Sequence, residues 1–130
     1  MSLKVPPALL DRAREGEVGP EEFVATVRDS LPWAWSTVSE LANDLHAGTA
    51  EYAEHRTPPP TEQAWGEMFR AMASDSIRGA LEEHFGVRLA FQNCCRIAAF
   101  RPDAVDGATY QEFVSPRAQL LNQSPELVNC

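Results

Sequence analysis

The sequence predicts a mainly α-helical α+β fold: a compact bundle of about four to five helices around a long central helix, with one β-hairpin. Three observations predict it. Apolar residues recur at helical spacing up to residue 85, the spacing changes to every second residue over residues 87–100, and proline or glycine separates the segments. At 130 residues the chain fits one domain, which we expect to span residues 1–130.

Two short helices and a longer one are predicted before residue 48. Apolar residues fall at helical spacing in residues 8–14 and again in residues 23–31, and the glycines of residues 16–19 separate the two segments. Ser30 is the predicted N-cap of the third helix, and Gly48 lies just after its last turn, where a helix commonly stops. The first two helices should form a helical hairpin.

Residues 49–61 form a polar connection that precedes the longest predicted helix. Three consecutive prolines at 58–60 favour a stiff, extended segment, either a rigid loop or a ligand for a partner that binds PxxP motifs. We favour the loop because proline commonly precedes a helix. From about residue 61 to residue 85, apolar side chains cover half of the helix circumference, which predicts a central helix that contacts several neighbours.

Residues 87–100 predict a β-hairpin. Val87, Leu89 and Phe91 alternate with other residues, a second alternating run follows, and Asn93 provides a turn residue between the two. A buried helix is the alternative for this segment. In the remaining tail, Ser115 and Ser124 each precede a proline, the pattern of an N-cap followed by the first helical residue, so short helices are expected there.

The charge balance is strongly acidic and excludes some classes of partner. Lysine and arginine total 11 against 19 aspartates and glutamates, a net charge of −8. The arginines stand singly between acidic residues, so the basic patch that phosphate binding requires is missing. The sequence therefore predicts no nucleic-acid partner and no membrane binding, whereas a basic protein partner fits the charge.

Hydropathy and cysteine usage predict a cytoplasmic protein. No apolar run approaches the ~20 residues of a membrane span, and residues 1–7 lack the apolar core of a signal peptide. An odd number of cysteines, two of them adjacent, is not typical of a disulfide framework. Reduced thiols are typical of the cytoplasm.

Cys94, Cys95 and Cys130 are the residues that concentrate reactive chemistry. They could act as redox thiols, or they could form a metal site together with His84, although adjacent cysteines lack the usual C-x2-4-C spacing of zinc ligands. We favour a structural role, in which one cysteine of the pair is a small buried hydrophobe and the other lies at a turn. The sequence predicts no catalytic residue and no cofactor.

Trp33 and Trp35 are the candidate partner-binding residues, because tryptophan is enriched at the centres of protein interfaces. In helical projection Trp33 points away from the apolar stripe of the third helix, and Trp35 lies at its flank. The alternative for Trp33, which we favour, is packing beneath the first two helices.

Two segments resemble known sequences. Residues 85–94, Phe-Gly-Val-Arg-Leu-Ala-Phe-Gln-Asn-Cys, and residues 120–127, Leu-Leu-Asn-Gln-Ser-Pro-Glu-Leu, resemble small uncharacterised proteins from actinomycetes of the Streptomyces kind. The resemblance extends over most of the chain. It implies an actinomycete source and implies no activity, since none is known for that group.

Taken together, these patterns predict a non-enzymatic protein-interaction or regulatory module that binds a protein partner or a second copy of itself. The prediction rests on the missing catalytic motifs and on the surplus of apolar side chains and tryptophan. The alternative is a thiol- or metal-dependent sensor or small enzyme that uses Cys94, Cys95 and Cys130. A small-molecule pocket beneath the hairpin, lined by Trp65, Met68 and Phe91, is a third possibility.

Overall fold

The computed structural model describes residues 3–93 and 96–122, and it confirms a mainly helical α+β fold. Within these residues the elements, in chain order, are α1 (Pro7–Arg14), α2 (Pro20–Ser30), α3 (Pro32–Ala47), β1 (Tyr52–His55), α4 (Glu62–Ala73), α5 (Asp75–Phe85), β2 (Arg88–Gln92), β3 (Arg96–Phe100), α6 (Ala108–Phe113) and α7 (Pro116–Asn122). A 3-10 helix at Pro102–Ala104 precedes α6. None of the described helices has the length and apolar character needed to cross a bilayer.

The predicted hairpin is confirmed, and it belongs to a larger sheet. β2 and β3 pair antiparallel, and β1 pairs antiparallel with the other edge of β3, in the order β1-β3-β2. The prediction of an unstructured polar connection over residues 49–61 was therefore wrong at β1. A strand of four residues, Tyr-Ala-Glu-His, has too little alternation to be recognised, and its pairing with β3 provides the stabilisation.

Each face of the sheet is buried against a different set of residues. Leu89, Ile97 and Ala99 face the main core, which the helices α2 to α5 complete. Ala98 and Phe100 face the opposite side and pack against α6 in a second, smaller core. This division follows from the period of two along a strand, which sends successive side chains to opposite faces.

The long helix predicted over residues 61–85 consists of two helices that meet at Ser74. The backbone of Ser74 is extended, with ψ 115°, and its Oγ accepts a hydrogen bond from the Ile77 N–H at 3.3 Å. Arg78 donates to the carbonyl oxygen of Met72 at 2.5 Å, and so satisfies a backbone acceptor at the end of α4. Serine is a strong N-cap. Its side-chain hydrogen bond to the backbone competes with continuation of the helix, so α4 ends and α5 starts at Ser74.

The N-terminus of α3 is capped by a side chain from another helix. Ser30 is the last residue of α2 and not the predicted N-cap; its Oγ instead accepts from the Lys4 N–H at 2.8 Å. Glu67 of α4 caps the N-terminus of α3 instead, since its Oε1 accepts from the N–H groups of Trp33 at 2.7 Å and Ala34 at 3.3 Å. The helical spacing of residues 61–85 predicts a solvent-facing position for Glu67, yet it is only 3% exposed.

The C-terminus of α3 is held by Arg101, which follows β3. Its guanidinium donates to the carbonyl oxygens of Leu45 at 2.6 Å, Gly48 at 2.7 Å and Ala50 at 2.8 Å. These carbonyls lie at and just beyond the last turn of α3, where helix carbonyls lack their usual donors, and only that of Leu45 also accepts from a cap N–H, that of Gly48 at 3.4 Å. A cation is favoured there by the helix dipole as well.

We predict that Arg101→Ala lowers the free energy of unfolding by about 2 kcal/mol, because hydrogen bonds from a charged donor to three backbone carbonyls are lost. Urea denaturation followed by circular dichroism would measure the change. Arg14→Ala is the matched control: Arg14 forms an exposed ion pair with Asp11 at 3.2 Å, a type worth less than about 1 kcal/mol. Equal losses in the two variants would contradict the capping role.

Candidate functional site

An open groove lies between α2 and α5, and we refer to it as the α2–α5 groove. It has a volume of about 860 Å³. Its apolar lining comes from Val18, Phe23, Val24, Ala25 and Ala80, and its rim carries Glu21, Arg28, Asp75, Glu83 and His84. The small residues on the facing helices keep the groove open, since few large side chains fill the space between them.

Gly79 lies in the interior of α5 and lines the α2–α5 groove. A Cβ atom built on Gly79 would meet no heavy atom within 4 Å. Glycine inside a helix destabilises it by roughly 0.5–1 kcal/mol relative to alanine, and no packing constraint in the structure requires glycine here. The residue leaves backbone accessible at the floor of the groove.

The rim of the α2–α5 groove is acidic. Three carboxylates, Glu21, Asp75 and Glu83, line it together with one guanidinium, that of Arg28. Arg28 also forms an ion pair with Asp29 at 3.1 Å, so part of its charge is already compensated. Asp75 is paired with Arg78 at 2.6 Å. The other two rim carboxylates give the groove a negative potential.

The structure places His84 on the rim of the α2–α5 groove, away from the hairpin turn. Its ring packs against Trp35, with centroids 5.0 Å apart. Asn93, which precedes the cysteine pair, contacts α7 instead: its N–H donates to Gln119 at 3.0 Å, and its carbonyl oxygen accepts from Asn122. The whole of β2 separates the two positions, at about 3.3 Å per residue.

The predicted thiol residues Cys94, Cys95 and Cys130 lie outside the described residues. Within residues 3–93 and 96–122, no three histidine, cysteine, aspartate or glutamate side chains converge closely enough to hold a metal ion. The thiol or metal role of these cysteines stays a prediction.

Trp33 and Trp35 are half-buried, and both pack against the main core. Trp33 lies edge-on to His55, with centroids 6.2 Å apart and planes at 77°. His55 was expected in a polar loop; instead its Nδ1 is buried and has no hydrogen-bond partner among the described residues. The partner-binding role of the two tryptophans stays a prediction.

Phe69 is the aromatic residue that the helical pattern misplaced. Its position in the apolar stripe of the central helix predicts burial, but 47% of it is exposed. Its ring stacks on Trp65 at 5.7 Å and meets Phe91 edge-on at 6.3 Å. Trp65 and Phe91, two of the three residues predicted for the pocket beneath the hairpin, are thus linked by a third aromatic ring at the surface.

A second concave region lies between the outer face of the sheet and helices α6 and α7, and we call it the Arg96 cavity. It is open to solvent and has a volume of about 720 Å³. Its lining includes Tyr52, Arg56, Gln92, Arg96, Phe113 and Leu121. The sequence does not predict the Arg96 cavity, because its lining comes from all three strands and from the tail. These segments are distant in the chain and meet only when β1 pairs with β3.

The side chains at the base of the Arg96 cavity form one hydrogen-bonded network. Arg96 donates through its Nε and Nη2 to Glu54 Oε1 and through its Nη1 to Gln92 Oε1, the latter at 3.1 Å. Gln92 donates in turn to the Phe113 carbonyl oxygen at 2.7 Å. Arg56 contacts the other oxygen of Glu54 at 3.3 Å. This network holds Arg96 in one orientation.

Comparisons with known proteins identify a family for the chain. A family model described as "NucS shadow ORF" matches residues 1–130. This description refers to a reading frame and states no activity, substrate or partner. Neither the curated proteins nor the solved structures gave a match. Since the match covers its full length, the chain belongs to the NucS shadow ORF family.

Proposed function

We propose that this protein is a non-enzymatic protein-interaction module, and that it binds a basic amphipathic helix of a partner protein in the α2–α5 groove. The observation that carries the proposal is the open space beside Gly79 in the lining of that groove, where a Cβ would meet no atom within 4 Å apart from its chain neighbours and the adjacent backbone of α5. Helix-in-groove docking is a recurring mode of protein recognition.

The apolar lining supports a helical partner with one apolar face. Phe23 and Val24 of α2 face the groove opposite Ala80 of α5, so the occupant would bury apolar side chains against both helices. Gly79 would allow the partner helix to approach the backbone of α5, because no side chain projects there. Val18, which is 45% exposed, would be covered at one end of the groove.

The charge of the rim supports a basic partner. Glu21 and Glu83 lie on the two sides of the groove, and the whole chain carries a net charge of −8. Lysine and arginine flanking the apolar face of a partner helix would meet complementary charge and be attracted at long range, whereas an acidic helix would be repelled. A partner with these properties agrees with the acidic composition.

The test uses a synthetic helical peptide of about 18 residues with leucine at i, i+3, i+4 and i+7 and lysine elsewhere. We expect saturable binding in fluorescence anisotropy, and amide shifts that map to α2 and α5. Gly79→Leu should weaken the affinity at least about tenfold, because the added side chain fills the floor of the groove. Gly79→Ala should weaken it less while raising the free energy of unfolding by about 0.5–1 kcal/mol.

Gly66→Ala is the matched control for Gly79→Ala. Gly66 lies inside α4, outside the groove lining, and a Cβ there would meet the flexible end of Arg70 at 3.1 Å. The Gly66→Ala substitution should leave the affinity for the peptide unchanged. A second peptide with glutamate in place of lysine should bind at least about tenfold more weakly at low salt. Peptide binding that survives Gly79→Leu, or a homodimer that buries α2 and α5, would overturn the proposal.

The polypeptide itself should first be shown to accumulate in cells. Cleavage after arginine releases residues 79–88, Gly-Ala-Leu-Glu-Glu-His-Phe-Gly-Val-Arg, which targeted mass spectrometry can detect. Its absence from cells that transcribe the reading frame would remove the basis for any cellular function. The cytoplasmic location, the actinomycete source and the exclusion of nucleic acid stay predictions from the sequence.

A further inference from the structure

We propose that the Arg96 cavity binds a small organic anion, a carboxylate attached to an apolar or aromatic body. This site is separate from the α2–α5 groove and lies on the opposite side of the sheet from the main core. The inference rests on the charge at the base of the cavity, on the fixed orientation of Arg96 and on the apolar walls, each taken in turn.

The charged groups at the Arg96 cavity leave one positive charge in excess. Arg56 and Arg96 share the single carboxylate of Glu54. Glu112, the acid that lines the cavity, is paired with Arg117 at 2.6 Å. The Glu112–Arg117 pair is neutral, so Arg56 and Arg96 against Glu54 leave one positive charge, in a chain whose net charge is −8. The local excess favours an anionic ligand where the rest of the surface would repel one.

Arg96 is held in place before any ligand arrives. Its side chain is 22% exposed, and its guanidinium lies over the ring of Phe113, 5.5 Å from the centroid. Glu54 and Gln92 accept three of its N–H groups, and a guanidinium has five. The remaining two have no acceptor among the described residues. A fixed donor loses little conformational freedom on binding a carboxylate.

Arg56 is the second cationic group, and it is exposed to solvent where Arg96 is largely buried. Its side chain is 70% exposed, and its described contact is the 3.3 Å pair with Glu54 Oε2. A ligand carboxylate could therefore take Arg56 as a partner without breaking the shorter contact between Arg96 and Glu54. Arg96 would position the carboxylate, and Arg56 would close over it from the solvent side.

The walls of the Arg96 cavity require an apolar body on the ligand. Phe113, Ala118 and Leu121 line the side formed by α6 and α7, and Tyr52 lines the side formed by the sheet. Leu121 is 54% exposed and would become covered. A bare inorganic anion would leave this apolar surface in contact with water, whereas an aromatic or branched carboxylate would bury it.

The test compares each acid with its neutral primary amide: benzoate with benzamide, and indole-3-acetate with indole-3-acetamide. Isothermal titration calorimetry and amide shifts of the full chain are the readouts. We expect at least one acid to bind with amide shifts at β1, β3 and α6, and to bind at least about tenfold more tightly than its amide. Raising the salt concentration should weaken the binding of the acid and leave the binding of the amide unchanged.

Arg56→Gln should lower the affinity for the acid at least about fivefold without changing the fold, because the side chain is exposed. Arg88→Gln is the matched control, since Arg88 is a half-exposed arginine at the start of β2, paired with Glu82 and outside the cavity lining. Equal binding of acid and amide, equal effects of the two substitutions, or no saturable binding by any of the four probes up to about 10 mM would overturn the proposal. Shifts at α2 and α5 would overturn it as well.

Discussion

Phe100→Ala should lower the free energy of unfolding by about 4 kcal/mol, the range expected when a fully buried phenylalanine is truncated. Phe100 is 0% exposed. Its ring stacks on Tyr52 at 5.0 Å and meets Tyr110 and Phe113 edge-on at 5.0 and 5.6 Å. The substitution would remove the central ring of the second core and leave a cavity that its neighbours cannot fill.

The region that Phe100→Ala loosens distinguishes loss of the second core from a general loss of stability. Helix α6 packs on the sheet through Phe113, so its amide protons should exchange faster, while those of α3 and α4 keep their order of protection. Phe69→Ala is the matched control, since Phe69 is 47% exposed and should cost about 1 kcal/mol or less. A loss below about 1.5 kcal/mol for Phe100→Ala, with unchanged exchange in α6, would contradict the packing described.

Glu67→Ala should lower the free energy of unfolding by about 3 kcal/mol, because hydrogen bonds between backbone donors and a buried charged acceptor are lost. The N–H groups of Trp33 and Ala34 would keep no partner at the start of α3, and Ala34 is 3% exposed. The favourable interaction of a carboxylate with the helix N-terminus would disappear as well. Urea denaturation monitored by tryptophan fluorescence measures the change, since the Trp33 backbone is one of the donors.

Two further variants test the cause of this loss. Glu67→Gln keeps a neutral oxygen that can accept from the same donors, and should recover part of the stability. Glu40→Ala removes an exposed carboxylate from α3 itself and should change the free energy of unfolding by less than about 0.5 kcal/mol. If Glu67→Ala were as mild as Glu40→Ala, the cap would contribute nothing to the stability of α3.

The helices and the hairpin were predictable because their signals are local. Proline in the first turn of α1, α2, α3 and α7 and glycine after α5 mark these ends, and both depend on residues next to each other in the chain. Gly86 has φ 67°, the left-handed conformation that ends α5. The hairpin was readable because its alternation runs through two strands with a turn residue between them.

The candidate sites were less accessible to sequence reasoning. His84 lies on the rim of the α2–α5 groove, whereas the sequence predicts it only as a possible metal ligand beside the cysteines. No pattern in the sequence indicates the Arg96 cavity, since Glu54 and Arg96 are 42 residues apart in the chain. No spacing rule connects residues that meet only when β1 pairs with β3.

The sequence by itself determined most of the helical segments, though not the break at Ser74 or α6, and it determined the hairpin and the acidic charge, because each of these depends on neighbouring residues or on composition alone. Only the tertiary structure decided the pairing of β1 and the caps at the two ends of α3. Glutamate and arginine are usually solvent-exposed. Glu67 and Arg101 act as caps because packing brings them against backbone groups that a helix cannot satisfy internally. The same long-range packing creates the α2–α5 groove and the Arg96 cavity, on which the proposed functions depend.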